Sequence, residues 1–97
     1  MSHADHRPSE ELLEATHSFP GVYKFKAIGS AEDDFVGRVL AVVEQEVAAV
    51  SDIDHSVRET PQGRHVSLTL DVSVQSAAQV RTIYSRILEV NGLVLLF

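Results

Sequence analysis

His65-Val66-Ser67-Leu68-Thr69-Leu70-Asp71-Val72-Ser73-Val74 alternates without a break. In an extended chain Val66, Leu68, Leu70, Val72 and Val74 fall on one face, and His65, Ser67, Thr69, Asp71 and Ser73 on the other. A strand with one dry and one wet side belongs to an antiparallel sheet that is covered on a single face. Upstream, residues 53–60 also alternate, and Pro61-Gln62-Gly63-Arg64 supplies the proline and glycine of a tight turn between the two. The pair reads as a hairpin whose register follows from burial. Ile53 and Val57 have to share the face of Leu68 and Leu70, which sets Val57 opposite Leu68 and Arg58 opposite Ser67. A slip of one residue would bury Arg58.

Downstream, Ser76-Ala77-Ala78-Gln79 has the form of a capping box, and Val80, Ile83, Tyr84, Ile87 and Leu88 follow at helical spacing until Asn91-Gly92 supplies a left-handed C-cap. Residues 93–97 are an all-apolar final strand. Upstream of the hairpin, residues 21–28 read as a strand with Tyr23, Phe25 and Ala27 on one side and Lys24 and Lys26 on the other. After Gly29, Ser30 is placed to N-cap a helix, with Asp33 at the capping-box position and Glu32 and Asp34 suited to the positive helix end. The stripe Val36, Val39, Leu40, Val43, Val47, Val50 predicts that this helix runs to about Val50. The order strand, helix, strand, strand, helix, strand is the split βαβ arrangement with right-handed crossovers. The expected fold is therefore α+β: a ferredoxin-like βαββαβ two-layer sandwich, with two helices on one face of a four-stranded antiparallel sheet. Residues 1–18 hold three of the five histidines and lack sustained periodicity, apart from Ser9-Glu10-Glu11-Leu12-Leu13-Glu14, which has the makings of one or two helical turns, so they read as a flexible N-terminal arm before a domain spanning residues 19–97.

Composition narrows the function. At 97 residues one core is available, and 44% apolar with 23% charged residues is ordinary globular usage, which argues against disorder. The absence of cysteine removes disulfides, thiolate metal sites and thiol nucleophiles, and points to a reducing cytoplasm. No apolar run reaches the roughly 18–20 residues of a membrane span, and residues 1–11 contain no signal-peptide core. A net charge of −6 repels polyanions, so neither nucleic acid nor an anionic membrane is an expected partner.

The segments Phe19-Pro20, Tyr23-Lys24-Phe25-Lys26-Ala27-Ile28-Gly29, His65-Val66-Ser67-Leu68-Thr69-Leu70 and Val94-Leu95-Leu96-Phe97 resemble the YbeD-like family of small bacterial proteins of unknown function. The resemblance extends from Leu12 onward. It implies a ferredoxin-like fold similar to the ACT domains that regulate amino-acid enzymes, and it brings no established activity and no catalytic residues. ACT domains commonly place an Asp and a Pro-Gly pair in an effector loop after the first strand. The corresponding loop here, Gly29-Ser30-Ala31-Glu32, has no proline.

Residue patterns of catalysis are weak throughout. His3 and His6 are the right residue type for a transition metal, but no carboxylate or cysteine set completes a site, so no metal and no cofactor is expected. His55, by parity, falls on the buried side of the hairpin, and His65 on the wet side. Asp33 with Asp34, and Glu44 with Glu46, read as solvated helix charges rather than an acid/base pair. No Gly-x-Ser-x-Gly elbow is present, and Gly29 alone makes no phosphate loop. RNA recognition on the open sheet face needs aromatic residues where lysine, serine and threonine stand.

Two surfaces remain. The wet face of the sheet gathers Lys24, Lys26, Arg58, Thr69 and Asp71, with Ser56 and Ser67, as a candidate ligand or partner face. In the last strand Leu93, Leu95 and Phe97 alternate with Val94 and Leu96, so whichever set faces the helices the other lies on the open side of a sheet edge, and Val94 and Leu96 are the expected dimer contact. The reading is a non-catalytic regulatory or adaptor domain, homodimeric and sensing a small metabolite or protein partner. The alternative is a small enzyme, an acyl-phosphate or small-anion hydrolase working on the open face, which lacks the arginine and asparagine motif expected after the first strand.

Overall fold

The computed structural model describes residues 7–97. Seven elements follow in order: α1 (Glu10–Thr16), β1 (Gly21–Ser30), α2 (Phe35–Glu44), β2 (Ile53–Glu59), β3 (His65–Val74), α3 (Ala77–Leu88) and β4 (Leu93–Leu96), with one 3-10 turn at Val50–Asp52 before β2. The strands form a single antiparallel sheet in the order β2-β3-β1-β4. This is the ferredoxin-like α+β sandwich expected from the residue pattern. Among the described residues no helix is long and apolar enough to cross a membrane.

The alternation of β3 is the backbone of the core. Val66, Leu68, Leu70, Val72 and Val74 are all buried, and Phe25 and Ala27 of β1 lie beside them on the same face. Above them α3 contributes Ala77, Val80, Ile83, Tyr84 and Ile87, and α2 contributes Phe35, Val39 and Val43. Ser76 caps α3 by accepting from the amide of Gln79, and the Gln79 side chain accepts in return from the amide of Gln75. The expected left-handed cap at Asn91-Gly92 is not where α3 ends: the helix stops at Leu88 with Glu89 as a right-handed C-cap, and Gly92, at φ 94°, turns the chain into β4 instead. The hairpin register is as burial dictates, with Val57 opposite Leu68 and Arg58 opposite Ser67.

Four further expectations are corrected. The first concerns the arm. From Ser9 onward the segment is a capped helix: the Ser9 hydroxyl accepts from the amide of Leu12, and Leu13 is sealed in the core at 1% exposure. Arg81 of α3 donates to the carbonyl of Pro8 and Arg7 to the hydroxyl of Ser85, so α1 lies docked against α3. One buried apolar side chain on a seven-residue helix leaves no periodic signature, yet it fills a gap beside α3. Residues 1–6, which include His3 and His6, fall outside the described residues.

The second concerns the start and end of α2. Ser30 is the last residue of β1 rather than a cap, because its amide bonds to Gly92 and the next amide, of Ala31, to Arg64. The helix begins only at Phe35, capped by the Asp34 side chain on the amide of Gly37, after Asp33 and Asp34 have turned through left-handed backbone at φ 57° and 52°. Phe35 leads the buried stripe and lies against Gly29, where any Cβ would collide with its ring. The helix stops at Glu44, since Glu46 turns to bond Arg86 of α3 and Val50 lies 66% exposed.

The third concerns β2. His55 and Val57 have the parity of the core face, opposite Leu70 and Leu68, yet both are exposed. The shortened α2 does not reach over this edge strand, so parity gives direction there but not burial.

The fourth concerns β4. Its pairing with β1 shifts between Ile28 and Gly29: Gly29 lies opposite Leu93, Ile28 opposite Leu95 and Ala27 opposite Leu96. The bulge breaks strict alternation. Leu93 and Leu96 both pack on the core, and the exposed residues are Val94, Leu95 and Phe97. Leu96 therefore lies partly buried on the core side, opposite Ala27, and not beside Val94 on an exposed face.

Because Leu13 is as buried as the residues of β3, Leu13→Ala is expected to lower the free energy of unfolding by about 2–4 kcal/mol in urea titration. A change below about 0.5 kcal/mol would show that α1 is not part of the cooperative fold. The two tyrosines supply a pH test. Burial raises the Tyr23 phenol above its ordinary value, with the nearby Tyr84 adding to the effect, and burial raises Tyr84 as well. Below the ordinary phenol value both are neutral whether the chain is folded or not. As the pH rises through that value the unfolded chain ionises first, so stability falls. Phenolate absorbance of the native protein should therefore appear at higher pH than that of the urea-unfolded chain, and coincident titrations would refute the assignment.

Candidate functional site

The open face of the sheet is ordered into rows by strand pairing. One row runs Asp54, Asp71, Lys24 across β2, β3 and β1. The next runs Ser56, Thr69, Lys26 and ends on Phe97, which exchanges backbone hydrogen bonds with Lys26 at 2.6 and 2.9 Å. The third runs Arg58, Ser67, Ile28 and ends on Leu95 of β4. Neighbouring strands lie about 4.8 Å apart, and successive rows about 6.8 Å apart along the strand. Lys24, Lys26, Arg58, Thr69 and Asp71 thus share this face, as their parity requires.

Within it lies a depression of about 320 Å³ lined by Lys26, Ser56, Val57, Arg58, Ser67 and Thr69. Its charge comes from Lys26 and Arg58, and the side chain of neither has a hydrogen-bond or ion-pair partner among the described residues. Three hydroxyls, of Ser56, Ser67 and Thr69, lie between these cations. Such a set can hold an anion by two charges and several O–H donors. Lys24 and Asp71 belong to its margin instead, joined to each other at 3.3 Å.

A second depression, about 410 Å³, lies between α2 and α3 and is lined by Arg38, Ala41, Val42, Arg86, Glu89 and Val90. Its cations are already engaged. Arg38 donates to the carbonyls of Asp33 and Asn91, and Arg86 to Glu46 and Gln45. These contacts tie the helices together, with Arg86 neutralised by Glu46 and Arg38 committing N–H donors to backbone carbonyls.

No three His, Cys, Asp or Glu side chains gather as a metal cluster among the described residues. Glu44 and Glu46, considered as a pair, separate in role: Glu46 bonds Arg86 while Glu44 ends α2. Phe97 and Leu95, of the alternate set not expected to make the dimer contact or the ligand face, abut the site through rows two and three. Their place depends on the bulge between Ile28 and Gly29, for which a five-residue apolar run carries no signal.

The Lys24–Asp71 pair is largely exposed, so Asp71→Asn should change unfolding free energy by less than about 1 kcal/mol. A larger loss in thermal denaturation would mean that the pair holds β1 to β3.

Comparison with known proteins places the chain. A family profile described as a protein of unknown function (DUF493) matches residues 14–96. A UPF0250 protein of Shewanella piezotolerans is 34% identical over 83 residues, spanning 86% of this chain and 88% of that protein. A UPF0250 protein of Shewanella oneidensis is 31% identical over the same shares. The solution structure of protein HP0495 from H. pylori superposes with a TM-score of 0.65 over 100% of this chain and 98% of its own, at 12% identity, a likeness of fold. The chain belongs to the DUF493 family of unknown function, the YbeD-like bacterial family that its strand segments resemble.

Proposed function

We propose that this protein is a non-catalytic regulatory or adaptor domain that binds a small anionic metabolite, or an acidic group on a partner, on its open sheet face. One observation carries the reading: Lys26 and Arg58, two cations without partners among the described residues, flank three hydroxyls in one depression of a chain whose net charge is −6. On an acidic surface, cations left unneutralised and grouped together attract an anion over a short range, and a bound anion relieves their mutual repulsion. The lining contains no carboxylate, imidazole or thiol. A hydroxyl nucleophile there would lack an adjacent general base, which favours binding over turnover.

Self-association along β4 is the second reading. Leu93–Leu96 carries no charge or proline, and Val94 is 63% exposed on this outer strand, whereas the opposite edge, β2, carries Asp54, Arg58 and Glu59. An uncharged edge is open to strand pairing with a second copy.

Pyrophosphate should raise the thermal midpoint in a dose-dependent, salt-sensitive manner, with about 2.7 kcal/mol of added stability at 100 times its dissociation constant. Lys26→Ala and Arg58→Ala should each weaken its binding about ten-fold or more, the scale of one charge-assisted hydrogen bond. Binding unchanged in both variants would sink the reading. Hydrolysis of acetyl phosphate that survives repurification and disappears in both variants would move the assignment to the anion hydrolase. Sedimentation showing a monomer at high protein concentration would remove the homodimer.

A further inference from the structure

The site's surroundings are unequal, and the inequality bears on what the anion is attached to. On one side of the depression the row Asp54, Asp71, Lys24 has two carboxylates to one ammonium, and that ammonium is engaged by Asp71. A ligand extending that way would bring its own negative charge toward like charge. On the other side, one strand beyond Lys26, the face becomes apolar. Phe97 stands next to Lys26 and Leu95 next to Ile28, and the two are 55% and 50% exposed. No charged side chain of β4 interrupts this strip. Lys26 and Phe97 are cross-strand neighbours whose backbones lie about 4.8 Å apart, so a single phenyl group or a short alkyl chain on an anion held at Lys26 spans one strand spacing.

We propose that the ligand of the open face is an amphiphilic anion: a phosphate or carboxylate held at Lys26 and Arg58, carrying an apolar body that lies over Ile28, Leu95 and Phe97. The inference rests on the open face being an anion site and adds the chemistry of the rest of the ligand. Charge complementarity seats the head group, the acidic row turns the body away from β2, and the exposed strip of β4 is the surface that gains by being covered. Phe97 offers a ring face for an aromatic body, and Leu95 and Ile28 extend the same patch by one row.

The test compares inorganic phosphate with phenyl phosphate by calorimetric titration of the full chain, in parallel with sedimentation of the same samples. Phenyl phosphate is expected to bind about ten-fold more tightly, the size of effect given by one partly covered ring. Phe97→Ala, and separately Leu95→Thr, should reduce that ratio to about two-fold or less while leaving the affinity for inorganic phosphate unchanged. Both positions are exposed, so neither change threatens the core, and thermal denaturation verifies that the variants fold. Binding of both anions with equal affinity would overturn this inference and leave the anion site standing. Failure of both anions to bind would overturn the two together. A ten-fold preference that persists in Phe97→Ala and Leu95→Thr would place the apolar body elsewhere and also refute the inference. A preference that vanishes as the protein self-associates would assign the strip to a second copy of the chain instead.

Discussion

Every second side chain of β3, from Val66 to Val74, has to be kept from water, and the other five cannot be. That single constraint divides the protein into a helical roof and a bare floor. It sets the register of β2, since a one-residue slip would exchange Val57 for Arg58 on the core side, and it sets β1, where Phe25 and Ala27 meet Leu70 and Leu68. The helices are held by the same surface. Val39, Val43, Val80, Ile83 and Ile87 are all fully buried above it. No polar side-chain atom is buried without a partner among the described residues, so the division is clean as well as dry.

The floor acquires its character from what the roof excludes. Hydroxyls and cations ejected from the core by parity are brought side by side across strands that are distant in sequence: Lys26 reaches Thr69 and Ser56 only because β1, β3 and β2 are neighbours in the sheet. Elsewhere on the surface, cations are used as fasteners. Arg86 joins α3 to the end of α2, Arg38 closes the loop at Asn91, and Arg81 holds the entry to α1. Lys26, Arg58 and Arg64 have uncommitted side chains among the described residues, and of these Lys26 and Arg58 line the depression, while the apolar ends of rows two and three give the site a direction.

The parts of the site legible in the sequence are those governed by a period of two. Lys24, Lys26, Arg58, Thr69 and Asp71 could be assigned to one face from alternation and hairpin register alone. The parts that were not legible depend on where alternation is interrupted or where coverage ends. His55 has core parity but lies beyond α2, which stops at Glu44 when Glu46 turns to Arg86. Leu96 and Leu95 exchange their expected sides because one bulge adds a residue opposite the Ile28 to Gly29 step. Leu13 was hidden by the opposite problem: a single buried leucine on a short helix has no repeat to display.

The sequence by itself determined the fold class, the strand order of the hairpin, the N-cap and buried face of α3, and which residues of β1 and β3 face water, because each follows from local periodicity, capping or a register enforced by burial. Tertiary structure alone decided that α1 closes the core, that Phe35 leads α2, and that Phe97 and Leu95 adjoin Lys26. These are matters of which distant surfaces meet and how far each one extends, and a chain's local pattern records the direction of a side chain but not the reach of what covers it.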